Sequence, residues 1–142
     1  MKIQIKKLHE DAIIPKYAHN SDAGMDLFSI EELILKPGHR VGVKTGISIG
    51  LPQGYVSLIW DKSGVAFKSG IKTMAGVLDS GYRGEYIVVL LNVSNQDFEI
   101  KKGQKIAQVL IQKIENPEIE EVKELSETSR GEGGFGSTGL QQ

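Results

Sequence analysis

Four short runs in this chain carry polar side chains whose types and placement could do chemistry. In "AGVLDSGYRGEY", Ala75–Tyr86, apolar residues lead to Asp79, Ser80-Gly81 turns the chain, and it returns into "YIVVLLNV". This pattern predicts a β-hairpin or strand corner with a carboxylate at its lip. There an apolar neighbourhood can set the orientation and pKa of the acid, although an Asp at such a place also suits a bond to its own turn. In "WDKSG", Trp60–Gly64, a strand ends on Lys62, the Ser63 hydroxyl and the Gly64 amide. Together they suit a small anion-binding nest, with lysine as a point charge, or a plain polar turn. "AGMDL", Ala23–Leu27, sets Asp26 among small and apolar residues, the setting of a satisfied structural carboxylate. "GQKIAQ", Gly103–Gln108, enters a strand and delivers Gln108, placed either to face a core or to orient a water.

A fifth run, "RGEGGFGSTG", spans Arg130–Gly139, and half of it is glycine. Glycines let successive N–H groups turn toward one anion, which side chains would block. Arg130 brings a permanent two-pronged charge, Ser137 and Thr138 bring hydroxyls, and Phe135 can stack on a flat base. Such a segment cannot order itself by burial. It reads either as a lid that orders over a phosphate-bearing ligand or as a plain flexible tail.

The elements that would hold these groups are strands. Period-two alternation runs through "KIQIK" and "GISIGLP", and "YVSLIW", "YIVVLLNV" and "KIAQVLIQKI" are β-rich. The turn signals "DKSG", "SNQD" and "KKGQ" separate them, and a Pro37-Gly38 turn follows "LIL". With 17 glycines, the pattern predicts an all-β antiparallel sandwich or jelly roll. No long helix is expected; "GVAFKSG" suits one short turn at most. The expected organisation is one domain over residues 1–115 and an extended C-terminal arm over 116–142. The arm opens with "ENPEIEEVKELSE", an acidic stretch suited to a late strand or a linker.

Composition narrows the functions. The chain has 142 residues, 39% hydrophobic and 25% charged, with a net charge of -1. That balance suits a single globular domain and offers no basic field for nucleic acid or an anionic membrane. The absence of cysteine excludes disulfides, thiolate metal sites and a cysteine nucleophile. His9, His19 and His39 share no helix-face spacing, so a histidine metal cluster is not expected. "MKIQIKKLHE" lacks the apolar core of a signal peptide, and no run reaches the roughly 20 apolar residues of a membrane helix. The expectation is a soluble cytoplasmic protein. "GHRVGVKT" lacks the glycine and lysine spacing of a phosphate loop, and "GISIG" has no βαβ unit around it.

Taken together, "AGMDL", "DKSG", "GVLDSGYRGE", "GQKIAQ" and "RGEGGFGSTG" stand in the order and spacing of the five motifs of the trimeric dUTP diphosphatases. The chain resembles that family from about residue 23 to 139. The resemblance implies a jelly-roll homotrimer whose active sites lie at subunit contacts, each closed by a neighbour's tail. It implies hydrolysis of dUTP to dUMP and pyrophosphate, with Mg2+ carried on the triphosphate rather than in a protein cage. Carried over by position, Asp79 would activate the water that attacks the α-phosphorus. Tyr82 would pack on the deoxyribose, and the backbone from Thr73 through Gly76 to Val77 would read the uracil edge. Lys62, Ser63 and Gly64 would contact phosphates, Gln108 phosphate or water, and Asp26 would brace the site. Arg130 would grip the γ-phosphate, Phe135 would cover uracil, and Gly136, Ser137 and Thr138 would wrap the phosphate chain.

Two features depart from that pattern. Lys62 stands where many relatives carry Arg, keeping charge but losing the fork. Thr73 stands where an asparagine is common, in a hairpin segment shorter than in many relatives. Two other readings are a dCTP deaminase of the same fold, which needs a further carboxylate segment not found here, and a nucleotide-gated binding protein. A plain structural sandwich would leave the glycine-rich tail without a role.

Overall fold

The computed structural model describes residues 1–134. Phe135, Gly136, Ser137 and Thr138 therefore lie outside the described residues. In chain order the elements are β1 (Gln4–Lys7), β2 (Gly24–Phe28), β3 (Leu33–Leu35), β4 (Arg40–Lys44), β5 (Ile47–Gly50) and β6 (Tyr55–Trp60). There follow α1 (Ser63–Ser69), β7 (Ile71–Met74), β8 (Val77–Asp79), β9 (Ile87–Asn92), β10 (Phe98–Ile100) and β11 (Lys105–Lys113). Each β-rich run of the sequence forms a strand, and the expected all-β antiparallel architecture is what the chain adopts.

The larger sheets run β2-β11-β6-β8 and β4-β9-β7, and β1-β5 and β10-β3 form two-stranded pairs. Most neighbours are far apart in sequence. β2 pairs with β11 at Asp26↔Gln108, and β6 pairs with β11 from Tyr55↔Lys113 to Trp60↔Gln108. Alternation decides which residues face inward. In β9, Val88, Leu90 and Asn92 are buried, whereas Ile87 is exposed. Leu27, Val43, Ile47, Ile49, Ile100, Ile106 and Val109 join them in one core drawn from every sheet.

Two buried polar groups tie the layers. The Tyr86 ring is fully buried, and its hydroxyl lies 2.8 Å from Ser57 Oγ on β6. The Asn92 amide donates to the Leu35 and Gln96 carbonyls at 2.9 and 2.7 Å, and its oxygen accepts from the Ser94 N–H. Asn92 is thus sealed in the core.

α1 exceeds the single turn that the sequence suggests. Val65 packs against the core, and Gly70, at φ 64° and ψ 36°, closes the helix by donating its N–H to the Ala66 carbonyl. Tertiary contact and a left-handed cap outweigh weak propensity here. Residues 114–134 form neither strand nor helix, so the acidic run builds no late strand in this chain. Among the described residues, no helix is long and apolar enough to cross a membrane.

Leu90→Ala removes a fully buried side chain and is expected to cost about 2–5 kcal/mol. Urea unfolding followed by fluorescence checks this; a loss below about 1 kcal/mol would mean the site collapses around the gap.

Candidate active site

β8 ends on Asp79, but the chain does not return as its hairpin partner. β8 pairs with β6 (Val56↔Asp79, Leu58↔Val77), while β9 joins the other sheet. Residues 80–86 are therefore a corner between sheets, begun by a bond from the Tyr82 N–H to the Asp79 carbonyl at 3.1 Å. A cleft of about 260 Å³ lies against this corner, lined by Ala75, Val77, Leu78, Asp79, Tyr82, Glu85 and Ile87. Asp79 is exposed at its rim.

Tyr82 is held on several sides. Its hydroxyl donates to the Glu85 carbonyl at 3.0 Å, and its ring lies 6.2 Å from that of buried Tyr86. A Cβ at residue 84 would collide with the Tyr82 ring, so only glycine lets the ring settle there. The Glu85 carboxylate is itself anchored, accepting the Gly46 N–H at 2.8 Å.

A second polar group forms where β2, β11 and the end of β6 meet. Asp26 is only 4% exposed and is paired with the Lys62 ammonium; Lys105 Nζ lies 2.6 Å from its other oxygen. Burial pushes the Asp26 carboxyl upward, but the ammonium groups of Lys105 and Lys62 outweigh it and hold the group below its ordinary value. Lys105 escapes sequence reasoning although it lies inside "GQKIAQ", where nothing local marks it; the structure places it opposite Phe28 of β2. Ser63 and Gly64 open α1, exposed and with no side-chain cap at its start. Gln108 Nε2 donates to the Asp61 carbonyl at 2.8 Å.

Asp61 is the other residue that sequence reasoning misses, although it lies inside "WDKSG". Its Oδ1 accepts the Thr73 N–H at 2.6 Å and the Thr73 hydroxyl at 2.7 Å, and its Oδ2 lies 2.6 Å from Lys72 Nζ. Burial works to raise the Asp61 carboxyl, but these three partners hold it below its ordinary value. Thr73 is 9% exposed and spends both its donors on Asp61. At Gly76, a Cβ would strike the Ile59 carbonyl oxygen. Arg130 is exposed and donates Nε–H to the Gly133 carbonyl at 2.9 Å.

The two groups do not meet within one chain. Asp79 stands opposite Val56, and Lys62 follows the other end of β6. Six residues of extended chain separate those points by roughly 20 Å. The acid lies toward one end of β6; the cations and the β7–β8 turn lie toward the other.

The antiparallel β fold thus sets an acid and an aromatic ring in one cleft, and lysines around a buried carboxylate elsewhere. The dUTPase family model matches residues 10–139. The deoxyuridine 5'-triphosphate nucleotidohydrolase of Clostridium tetani is 50% identical over 139 residues, 96% of each chain. That of Nautilia profundicola is 51% identical over 141 residues, 98% of this chain and 99% of its own. Among solved structures, a mutant dUTPase of Staphylococcus bacteriophage 80alpha with dUpNHpp superposes with a TM-score of 0.91 at 32% identity, covering 98% of this chain and 99% of that one. A mutant dUTPase from phage phi11 of S. aureus, in which a structural Mg(II) ion is coordinated, gives 0.84 at 28% identity over 89% of this chain and all of that one. The chain belongs to the dUTPase family and is an enzyme that hydrolyses dUTP.

A carboxyl held below its unfolded value contributes stability above that value, and the contribution is lost as pH falls through the folded value. Asp26→Asn is therefore expected to be less stable than the parent at neutral pH, with the gap closing below about pH 4. Urea titrations at the two pH values check this. An equal gap at both would mean that the ion pairs are not its source.

Proposed function

We propose that this enzyme converts dUTP to dUMP and pyrophosphate by attack of water on the α-phosphorus, with Asp79 as general base. This would limit uracil entry into DNA and supply dUMP. The observation that carries the reading is the cleft in which the Asp79 carboxylate and the braced Tyr82 ring stand beside the turn at Ala75–Val77. Water oxygen bonds to the α-phosphorus as the bond to the α–β bridging oxygen breaks. Asp79 takes the water proton, and pyrophosphate leaves. At the rim of the cleft, Asp79 has access to water while Tyr82 walls off the sugar, leaving no room for a 2′-hydroxyl.

The base side follows from strand order. β8 is the edge of its sheet, so one row of its N–H and C=O groups faces away from β6. The backbone from Thr73 to Val77, apart from the Thr73 N–H held by Asp61 and the Gly76 carbonyl held by Ile59, would read the imide edge of uracil as a neighbouring strand would. A cytosine would mismatch those donors and acceptors, and a thymine methyl would strike the backbone.

Phosphates require cations, and the lysines lie at the wrong end of β6 to serve their own Asp79. We infer a homotrimer in which one subunit lends Lys62, Ser63, Gly64 and Gln108, braced by Asp26, to its neighbour's cleft. Exposed apolar side chains support such contacts: Phe67 on α1 is 92% exposed, and Trp60, Val77 and Val93 are also exposed. The tail would close the site, with Arg130 on the γ-phosphate, Phe135 over uracil and Gly136 to Thr138 along the phosphates. Mg2+ on the triphosphate would lessen the repulsion of the incoming oxygen.

Pyrophosphate release with dUTP, dTTP, dCTP and UTP tests the reaction; release only from dUTP is expected. Asp79→Asn is expected to bind dUpNHpp normally and to lose turnover by on the order of 10²–10⁴-fold. Normal turnover would remove Asp79 from the mechanism. Deleting residues 130–142 is expected to leave the trimer intact in sedimentation and to lower kcat/KM sharply. Full activity after deletion would dispose of the lid.

A further inference from the structure

The turn between β7 and β8 holds its shape against its own preference. Ala75 sits at φ 51°, the left-handed region that a side chain disfavours and glycine accepts. It lines the cleft beside Asp79 and also a smaller hollow of about 200 Å³ on the other side of the turn. A residue so placed persists only where its surroundings dictate the backbone. The β8 side is pinned by the Ile59 N–H bonding the Gly76 carbonyl at 2.7 Å. The β7 side is pinned by Asp61, through both donors of Thr73 and the ammonium of Lys72.

We propose that Asp61 is a positioning residue that sets pyrimidine selectivity by fastening the β7–β8 turn to the end of β6. The inference rests on assigning that turn to the base of dUTP. Rejecting a thymine methyl requires a wall that does not retreat, and an alanine held left-handed retreats when either pin is released. Asp61 supplies one pin with charge-assisted bonds, which are stronger than bonds between neutral groups. The same residue's carbonyl receives Gln108 Nε2, and Lys62 follows it in the chain. The segment that positions the phosphate groups is thus the segment that holds the base turn.

Three variants test this: Asp61→Ala, Asp61→Asn, which retains one acceptor for the Thr73 N–H, and Thr73→Val, which removes only the hydroxyl bond and folds without leaving a gap. Amide exchange of residues 71–79 in the unliganded protein reads the fastening without catalysis. Steady-state kinetics with dUTP and dTTP read the selectivity. Expected are faster exchange in Asp61→Ala, a rise in KM for dUTP larger than any change in kcat, and a fall of about tenfold in the dUTP to dTTP ratio of kcat/KM. Asp61→Asn is expected to recover part of each effect, and Thr73→Val to show a smaller share. Unchanged exchange in the folded variants would overturn the fastening. Faster exchange with unchanged discrimination would overturn the role in selectivity. A parent protein that releases no pyrophosphate from dUTP would instead sink the assignment of the reaction, which the exchange measurement does not depend on.

Discussion

A strand cannot fold back on itself, and that constraint governs this molecule. β6 is paired on both sides, with β11 and with β8, and so is an interior strand of its sheet. Asp79 is registered to its beginning, and Lys62 follows its end. Asp79 and the Lys62 ammonium are thereby held apart by the length of the strand. The trimer proposed above answers that separation, since contact between copies would bring unlike ends together.

Each end is braced differently. Around Asp79 the bracing is steric: Tyr82 rests on a residue that only glycine can be, and Tyr86 backs it from the core. Around Asp26 it is electrostatic. A carboxylate almost out of water needs compensation, and Lys62 and Lys105 supply it while keeping 29% and 45% of their own side chains exposed. Their stems reach inward and their charges remain near solvent, so the buried acid orients two cations that are still free to meet an anion. Asp61 and Asp26 act alike in this respect: each is a fixed anion whose purpose is to hold something else in place.

Much of the architecture is legible in the order of residues. The strands follow from alternation and turn chemistry, and every β-rich run forms one. The candidate runs are also visible: an acid after apolar residues, a Lys-Ser-Gly turn and a glycine-rich tail are weak signals singly, and it is their order that points to a family. Other features have no local signal. Asp61 stands inside a motif without any sign of its role, because its partners Lys72 and Thr73 lie 11 and 12 residues further along. Lys105 has the pattern of an ordinary exposed strand residue, and only the approach of β2 gives it Asp26 as a partner. The α1 region is too weak for a helix by propensity. Its support, Val65 on the core and a left-handed Gly70, comes from packing and from a backbone conformation.

Residue order alone therefore settles side-chain chemistry, strand periodicity and membership of a family, since these depend on near neighbours and on patterns along one dimension. Which acid is buried, which turn is pinned, and which functional groups stand at opposite ends of β6 emerge from pairings such as β2 with β11 and β6 with β8. Those pairings join residues far apart along the chain, and hydrogen bonds and ion pairs act across space, so only the folded arrangement determines them.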